Sequence, residues 1–389
     1  MIRLATLLPG DWTDEICCTL RSAQLELHPE YTALSYAWGS ANVTRTIWLN
    51  QQRFPVTVNL AAALRRLRKA DTEVTLWADA ICINQANHME RTAQVKLMRR
   101  IFEGASEVVL DLGETQDQRH GSMRAYMEPK PASNIFSFEE SEIALVASFK
   151  ERYLSGTIFC LLRSLADPRQ MEDLPEITES MGNPPVTRFQ RALFESLRLM
   201  MRCRWWNRMW TIQEVIVPNY LKVVYGSSVA PWKMFVEAAK HWRVLSSCLP
   251  REHTNVLKLF ARVVLDIDQM RETWSQGSQT TLLPLLRQFS DRGATDDRDR
   301  VYALLSLPDY SIHTAKVFEN TVLNIIHTTG SLDVLSLDVG RKNRQDLPSW
   351  VPDWTATIDQ VDRRRSLSFN VHRATLQSKI GRESGSLRH

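Results

Sequence analysis

The segment that most constrains the fold is residues 74–83, which read Val-Thr-Leu-Trp-Ala-Asp-Ala-Ile-Cys-Ile. The run is largely apolar on both alternating sets of side chains, with Asp79 as its charged exception. A strand with one exposed face alternates apolar and polar residues, whereas a strand covered on both faces is apolar throughout. We therefore predict that residues 74–83 form a central strand, inside which Asp79 needs a partner or does chemistry.

Helices and strands alternate around this segment. A helix capped by Asn59 is predicted next to it, with its leucines on one face and Arg65, Arg66 and Arg68 on the outer side. Further strands are predicted at 31–38, 46–49, 107–112 and 221–225, and a further helix at 87–104. The alternation predicts an α/β fold with a mainly parallel sheet flanked by helices.

The composition is typical of a globular chain that does not enter a membrane. Of 389 residues, 44% are hydrophobic and 24% charged, and no apolar run approaches the roughly 18 residues that span a bilayer. The apolar start, Leu4–Leu8, meets Pro9 too early for a signal peptide. Six cysteines without a C-x-x-C pair indicate neither a disulfide framework nor a metal site. We expect a cytoplasmic protein.

Changes in composition suggest three parts. Residues 1–226 form the predicted α/β domain, with an insertion or long loop at 114–190, and residues 227–355 are predicted to be mostly helical. Residues 356–389 form a basic polar tail, predicted to be disordered. This tail has no interleaved aromatic residues, so a solvated terminus is favoured over a nucleic-acid contact, and no specific nucleic acid is expected as a partner.

Four blocks of sequence, in order, resemble the fungal heterokaryon incompatibility (HET) domain family. They are Tyr31 to Gly39 (Y-T-A-L-S-Y-A-W-G), Leu76 to Gln85 (L-W-A-D-A-I-C-I-N-Q) with Glu90, Arg91, Gln94, Val95 and Met98, Ala105 to Gly113, and Arg204 to Glu214 (R-W-W-N-R-M-W-T-I-Q-E). Residues 296–307 and 347–354 are similar to two further elements of the family. The resemblance therefore extends from about residue 12 to residue 354.

The resemblance implies a role in non-self recognition between fungal individuals. The domain would act as an intracellular effector or signalling module that triggers programmed cell death, with protein partners and self-association. Two further alternatives are a non-catalytic adaptor and a degenerate paralogue, the latter because the chain ends 35 residues after Trp354.

An enzymatic alternative follows from a more distant resemblance to Toll/interleukin-1 receptor (TIR) domains. These are flavodoxin-like folds, and some of them cleave NAD. The W-x-x-x-E spacing of Trp210 and Glu214 is similar to the TIR segment that carries the catalytic glutamate. On this alternative, the chain is an NAD hydrolase activated by self-association; NAD would be its substrate, and no cofactor would be required.

Glu214 is the candidate catalytic residue. A glycosidic bond to ribose breaks through a positively charged state, which a nearby carboxylate can stabilise. The alternative is structural, with Glu214 paired to Arg204 or Arg208. For Asp79, pairing with Arg91 or with an arginine near Trp205 is the corresponding structural alternative.

The candidate ligand-binding residues lie in loops that follow predicted strands, where open sheets bind ligands. They are Gly39, Ser40, Asn84, Gln85 and Gly113, with Trp210 as a residue that could stack on a nucleobase. Each has a structural alternative: glycines serve tight turns, polar side chains bond local backbone, and tryptophans form buried layers.

Overall fold

The computed structural model describes residues 1–113, 152–167, 188–243, 249–276, 282–290, 292–305, 309–336 and 342–356. Most of the predicted insertion at 114–190 and all of the predicted tail beyond residue 356 lie outside these residues. The chain divides into two compact units, residues 1–278 and 279–389. The domain bounds inferred from the sequence stay predictions.

Nine strands in the described part of the first unit form one sheet, in the order β5-β4-β2-β1-β6-β3-β7-β8-β9. Their bounds are β1 Ile2–Leu7, β2 Cys17–Ala23, β3 Thr32–Tyr36, β4 Thr44–Leu49, β5 Gln52–Thr57, β6 Val74–Trp77, β7 Glu107–Asp111, β8 Leu221–Tyr225 and β9 Ser228–Pro231.

The centre of the sheet is parallel and its sides are mixed. Strands β6, β3, β7 and β8 pair in parallel, and their chain order across the sheet is 2-1-3-4, as in the first four strands of a flavodoxin-like sheet. The pairs β1–β2, β1–β6, β4–β5 and β8–β9 are antiparallel. The predicted α/β fold is confirmed, with parallel pairing concentrated in the central strands.

Helices flank this sheet, and three further helices lie in the described part of the second unit. In the first unit they are α1 Val58–Leu67, α2 Asp79–Cys82, α3 His88–Val95, α4 Met98–Glu103, α5 Arg152–Ala166, α6 Arg188–Met201, α7 Thr211–Ile216, α8 Trp232–Lys240 and α9 Arg251–Ser275. In the second unit they are α10 Leu282–Gln288, α11 Asp299–Leu305 and α12 Thr314–Thr329. None of the described helices is long and apolar enough to cross a membrane.

An aromatic contact anchors α4 to the centre of the sheet. Trp77 at the end of β6 meets Phe102 edge to face, with ring centroids 5.5 Å apart. The hydroxyl of Tyr31, just before β3, donates a hydrogen bond of 2.5 Å to the carbonyl of Ile101. Burial raises the pKa of this hydroxyl, which therefore stays protonated as a donor. These contacts fix α4 beside the strand pair β3 and β6.

The predicted long strand at 74–83 is wrong in its second half. Strand β6 ends at Trp77, and Asp79 begins the short helix α2. The Asp79 carboxylate accepts a hydrogen bond of 2.8 Å from the amide of Ala80, so it satisfies a donor that the first turn of a helix leaves free. The apolar pattern did not distinguish a strand from a strand followed by a buried helical turn.

Arg66 is also placed differently from the prediction. Its side chain is only 7% exposed and forms an ion pair with Asp111 at the end of β7. The guanidinium donates hydrogen bonds of 3.0 and 2.8 Å to the two oxygens of this carboxylate. Burial raises the pKa of Asp111, and the charge of Arg66 opposes that rise. The prediction failed because helical periodicity does not detect a partner 45 residues away.

The second unit brings the two downstream elements of the resemblance together. Arg344 donates a hydrogen bond of 2.7 Å to Asp297. Near it, the carboxylate of Asp353 accepts hydrogen bonds from the amides of Asn343 and Thr355, at 2.8 and 2.9 Å. These hydrogen bonds help to hold the pKa of Asp353 below its usual value, although burial opposes them. The described residues 296–305 therefore belong to one local structure with residues 347–354, connected through Arg344.

The buried ion pair allows a stability prediction. We expect Arg66→Met to lower the free energy of unfolding by about 3–5 kcal/mol, because it leaves the Asp111 charge buried without its partner. Urea unfolding at pH 7 measures this difference. The loss should shrink at lower pH, where Asp111 becomes protonated.

Two further variants control this experiment. Lys69→Met changes a cation at an exposed position and should shift the free energy of unfolding by no more than about 0.5 kcal/mol. The double variant Arg66→Met/Asp111→Leu removes both charges and should recover much of the loss. A single variant Arg66→Met as stable as the protein with Lys69→Met would contradict the proposed energetic role of the pair.

Candidate functional site

The candidate site lies where the order of the central strands reverses. Strands β3 and β7 are parallel neighbours, and Tyr36 pairs with Asp111 at their carboxyl ends. The chain leaves β3 towards β6 and later returns to β7 on the other side. Open α/β sheets bind ligands outside such a point, so the geometry directs attention to the residues around Tyr36 and Asp111.

Glu214 lies beneath this point, inside the protein. It belongs to the six-residue helix α7, all of which is buried, and is itself 3% exposed. The hydroxyl of Ser35 in β3 donates a hydrogen bond to Glu214 Oε2. The same hydroxyl oxygen accepts a hydrogen bond of 2.7 Å from the indole Nε1 of Trp205. A continuous chain of donors therefore runs from Trp205 through Ser35 to Glu214.

Trp205 and Trp206 form the buried layer that the structural alternative describes. Both are nearly inaccessible, and their rings meet edge to face with centroids 5.0 Å apart. The indole of Trp206 donates to the carbonyl of Met200 at 2.9 Å. Each ring thus buries a large apolar surface while its single polar atom has a partner.

A second set of polar groups, which includes Arg208 and Asp79, lies at the end of β3. The Arg208 guanidinium donates to the backbone carbonyl of Tyr36, and the indole of Trp38 donates to Asp79 at 2.7 Å. Burial raises the pKa of Asp79, while the positive charge of Arg208 and the bond from Trp38 lower it. Burial and the nearby Asp79 carboxylate raise the pKa of Tyr36 well above its ordinary value, so this phenol is neutral.

Together these residues form one buried polar network, which we call the β3 cluster. Its members are Ser35, Tyr36, Asp79, Trp205, Arg208 and Glu214. It contains two acidic groups and one guanidinium, and the charge of Arg208 lowers the pKa of both Tyr36 and Asp79. In this arrangement Ser35 holds the Glu214 carboxylate, which is almost inaccessible to solvent, and Trp38 and Arg208 accompany Asp79.

The two arginines proposed as partners of Glu214 occupy different positions. Arg204 is exposed, in the short 3-10 helix at 204–207, whereas Arg208 reaches the end of β3. Arg91 lies in α3. For Asp79, the positive charge of Arg208, from the segment that follows Trp205, lowers the pKa, while pairing of Asp79 with an arginine stays a prediction.

Asn84 and Gln85 stabilise the loop after α2. The Asn84 side chain accepts a hydrogen bond of 3.2 Å from the amide of Ala86, and the Asn84 amide donates to Glu90 at 2.9 Å. Gln85 donates to the backbone carbonyl of Asp79 at 2.9 Å. Asn84 is exposed and Gln85 half-buried, so both side chains lie near the surface, apart from the buried Glu214.

Gly39 and Ser40 form the turn that leaves β3. Gly39 has a φ of +79°, and a Cβ there would lie 2.9 Å from the side-chain nitrogen of Asn59. Asn59 in turn donates to the carbonyl of Ala37 at 2.8 Å. The exposed Ser40 hydroxyl accepts a hydrogen bond of 3.3 Å from the amide of Asn42. Glycine is needed here for a close approach within the protein as well as for its backbone conformation.

Gly113 and Trp210 also have local roles. Gly113, with a φ of +96°, donates its amide to Asp111 at 2.8 Å. Trp210 is half-buried at the start of α7, and its carbonyl accepts the amide of Gln213 at 3.1 Å. Ligand contact by these two residues, as by Gly39, Ser40, Asn84 and Gln85, stays a prediction. Within the described ranges, no group of three metal-binding side chains comes together.

Ser35, Tyr36 and the pair Arg66–Asp111 were absent from the sequence-based site. Ser35 and Tyr36 belong to an ordinary apolar strand pattern, and nothing local distinguishes them. Asp111 offered one signal, because it is the charged residue at the end of the apolar run Val108-Val-Leu110. A carboxylate in such a run requires a partner, as was argued for Asp79.

The hydrogen bonds of Ser35 allow a second stability prediction. Ser35→Ala removes the donor to Glu214 and the acceptor for Trp205, which leaves two buried polar groups without this partner. We expect the free energy of unfolding to fall by about 1–3 kcal/mol. Thermal or urea unfolding measures it, with the exposed variant Ser40→Ala as the matched control. Equal stability of the two variants would contradict this role for Ser35.

Asp79 allows a prediction about pH. Because its pKa is raised in the folded protein, the native state binds this proton more tightly than the unfolded chain does. The stability that Asp79 contributes is therefore present at low pH and lost as pH rises through the folded-state pKa. We expect the free energy of unfolding of the wild type, relative to Asp79→Asn, to fall as the pH rises above the ordinary aspartate pKa of about 4. Urea unfolding across this range, with Asp71→Asn at an exposed position as control, measures it. A constant difference would overturn the prediction.

Comparison with known proteins identifies the region that contains this cluster. Residues 31–214 match the family model described as "Heterokaryon incompatibility protein (HET)". The matched region begins at Tyr31, just before β3, and ends at Glu214, so it contains every member of the β3 cluster. No solved structure matches the chain.

A curated protein is similar over most of the chain. It is the "Heterokaryon incompatibility protein 6, OR allele" of Neurospora crassa, which is 28% identical over 433 aligned residues. The alignment covers 95% of this chain and 59% of the relative, so the chain spans about three fifths of that protein's length. Residues 31–214 of the chain are therefore similar to the heterokaryon incompatibility (HET) domain.

Proposed function

We propose that this chain is an effector or signalling protein of fungal heterokaryon incompatibility, in which the HET domain triggers programmed cell death after non-self recognition. The observation that carries the proposal is the similarity to a heterokaryon incompatibility protein over 95% of the chain. That similarity reaches well beyond the matched domain of residues 31–214 and covers most of both compact units.

The fold supports a role in recognition, which requires a domain that keeps one shape. The β3 cluster joins β3, α2 and the segment 205–214 through hydrogen bonds among buried and half-buried groups. Hydrogen-bonded polar networks favour one arrangement of a core, because an alternative arrangement breaks the bonds of the buried groups. Such a domain presents a defined surface, which is what recognition by a partner requires.

Protein partners, self-association and a cytoplasmic location belong to the same proposal. Aromatic side chains are enriched where proteins bind one another. Two on the first unit are well exposed, Trp12 at 61% and Tyr220 at 72%. They are available to a protein partner or to a second copy of the chain.

Cleavage of NAD is the enzymatic alternative within this role. It would require Glu214 to contact the ribose of a bound dinucleotide. The carboxylate is instead buried at 3% exposure and accepts the Ser35 hydroxyl. This geometry favours a structural role for Glu214, and we propose that killing does not depend on its charge.

The test is inducible expression of the full chain in fungal cells, with viability and cellular NAD measured together. We expect expression of the wild-type chain to lower colony survival by at least about tenfold, a decrease that a colony count detects clearly. Glu214→Gln should kill equally well, because the amide oxygen can still accept the Ser35 hydroxyl, and cellular NAD should stay unchanged before death.

Glu103→Gln, at an exposed position of α4, is the matched control for the loss of one negative charge. All variants are compared at equal expression and after thermal melting has established that they fold. Loss of killing in Glu214→Gln together with NAD depletion by the wild type would favour the enzyme. Survival of cells that express folded wild-type protein would contradict the proposed effector function.

A further inference from the structure

Helix α9 carries a stripe of three residues whose partners come from three different elements. The stripe consists of Asp268, Arg271 and Trp274, spaced three residues apart on one side of the helix. It lies beyond the region that the HET family model matches, which ends at residue 214. We call it the α9 stripe.

The contacts of the α9 stripe are specific. Asp268 accepts a hydrogen bond of 3.3 Å from the indole of Trp232 at the start of α8. Arg271 donates to the carbonyl of Val215 and, at 2.8 Å, to the carbonyl of Pro218. Trp274 stacks under Arg99 of α4, whose guanidinium carbon lies 4.0 Å from the ring centroid. One side of α9 thus joins α8, α7 and α4.

The contacts of Arg271 matter most because of the helix that they hold. Helix α7 has only six residues, too few to be stable by itself. The last carbonyls of any helix have no partner within the helix, and Pro218, which follows, has no amide hydrogen to offer. The guanidinium of Arg271 supplies two donors at this end, one within the helix and one just past it.

Moving the charged guanidinium of Arg271 out of water costs free energy, so its hydrogen bonds have to compensate for that loss. Burial lowers the pKa of Arg271, and the charge of Asp268 one turn earlier opposes this effect. The guanidinium donates to neutral carbonyl groups on the segment 215–218. A desolvated cation directed at the end of α7 is the arrangement expected of a helix cap.

We infer that the α9 stripe is part of the HET domain's working unit and that Arg271 is a positioning residue for α7, the helix that carries Glu214. Arg208 just before α7 and Glu214 within it are bonded to Tyr36 and Ser35 of β3. Arg271 holds its carboxyl-terminal side from α9. The unit that presents the β3 cluster therefore extends through Ser275, beyond residue 214.

Hydrogen–deuterium exchange on the full chain tests this inference directly. We expect Arg271→Met to accelerate amide exchange within residues 212–217 by about tenfold, the effect of losing a charged hydrogen-bonded cap on local opening. Exchange in β8 and α8 should stay unchanged. Arg262→Met, at an exposed position of the same helix, is the matched control and should alter neither region.

Arg271→Lys extends the test, because it keeps the charge but not the planar fork that reaches two carbonyls. It should accelerate exchange in residues 212–217 to an intermediate degree. It also serves as the test if Arg271→Met does not fold. Unchanged exchange in residues 212–217, or equal acceleration in β8 and α8, would overturn the positioning role.

The killing assay supplies a second readout, which rests on the proposed function. We expect Arg271→Met to kill less efficiently than Arg262→Met at equal expression and similar melting temperature. Equal killing by these two variants would overturn the assignment of the α9 stripe to the working unit. Absence of killing by the wild type would instead contradict the proposed function, while exchange would still decide the role of Arg271.

Discussion

The structure of the HET domain depends on the requirement that polar groups buried against the sheet find partners inside the protein. Glu214 and Ser35 are almost inaccessible to water, and an unpaired carboxylate at such depth would be expensive. The Ser35 hydroxyl provides a partner for two buried polar groups, since it donates to Glu214 and accepts from Trp205. The same bonds join the tryptophan layer and the short helix α7 to the central strand β3, so the position of this helix follows from hydrogen-bond satisfaction.

The burial of Glu214 bears on the function of the domain. Chemistry at Glu214 would require a substrate to reach a side chain that is only 3% exposed, whereas recognition requires only a surface held in one shape. Arg66 and Asp111 stabilise the end of β7, next to the turn that the Asn59 side chain holds after β3. Arg271 does the same for the end of α7 from outside the matched region. These contacts hold the end of β7 and the end of α7 in one arrangement.

Much of the fold could be predicted because strands and helices have local periodicities. Strand β8 was predicted with its bounds, and the apolar run at 107–112 contains β7. The predictions failed where a single polar group changed the path of the chain. Asp79 ends the run that began at Val74 and starts a helical turn instead. Arg66 lies on a helix whose pattern placed it outside, yet it pairs with Asp111 across the domain.

The sequence by itself determined the α/β class, the amphipathic helix α1 and the resemblance to the HET family, because these depend on composition, periodicity and ordered motifs. It also raised the question of how Asp79 and Glu214 are paired. Only the tertiary structure decided that Ser35 and Trp205 satisfy Glu214, that Trp38 and Arg208 accompany Asp79, and that Arg271 holds α7. The physical reason is that the partner of a buried charge is chosen by proximity in space, between residues far apart in the chain, and local patterns contain no record of it.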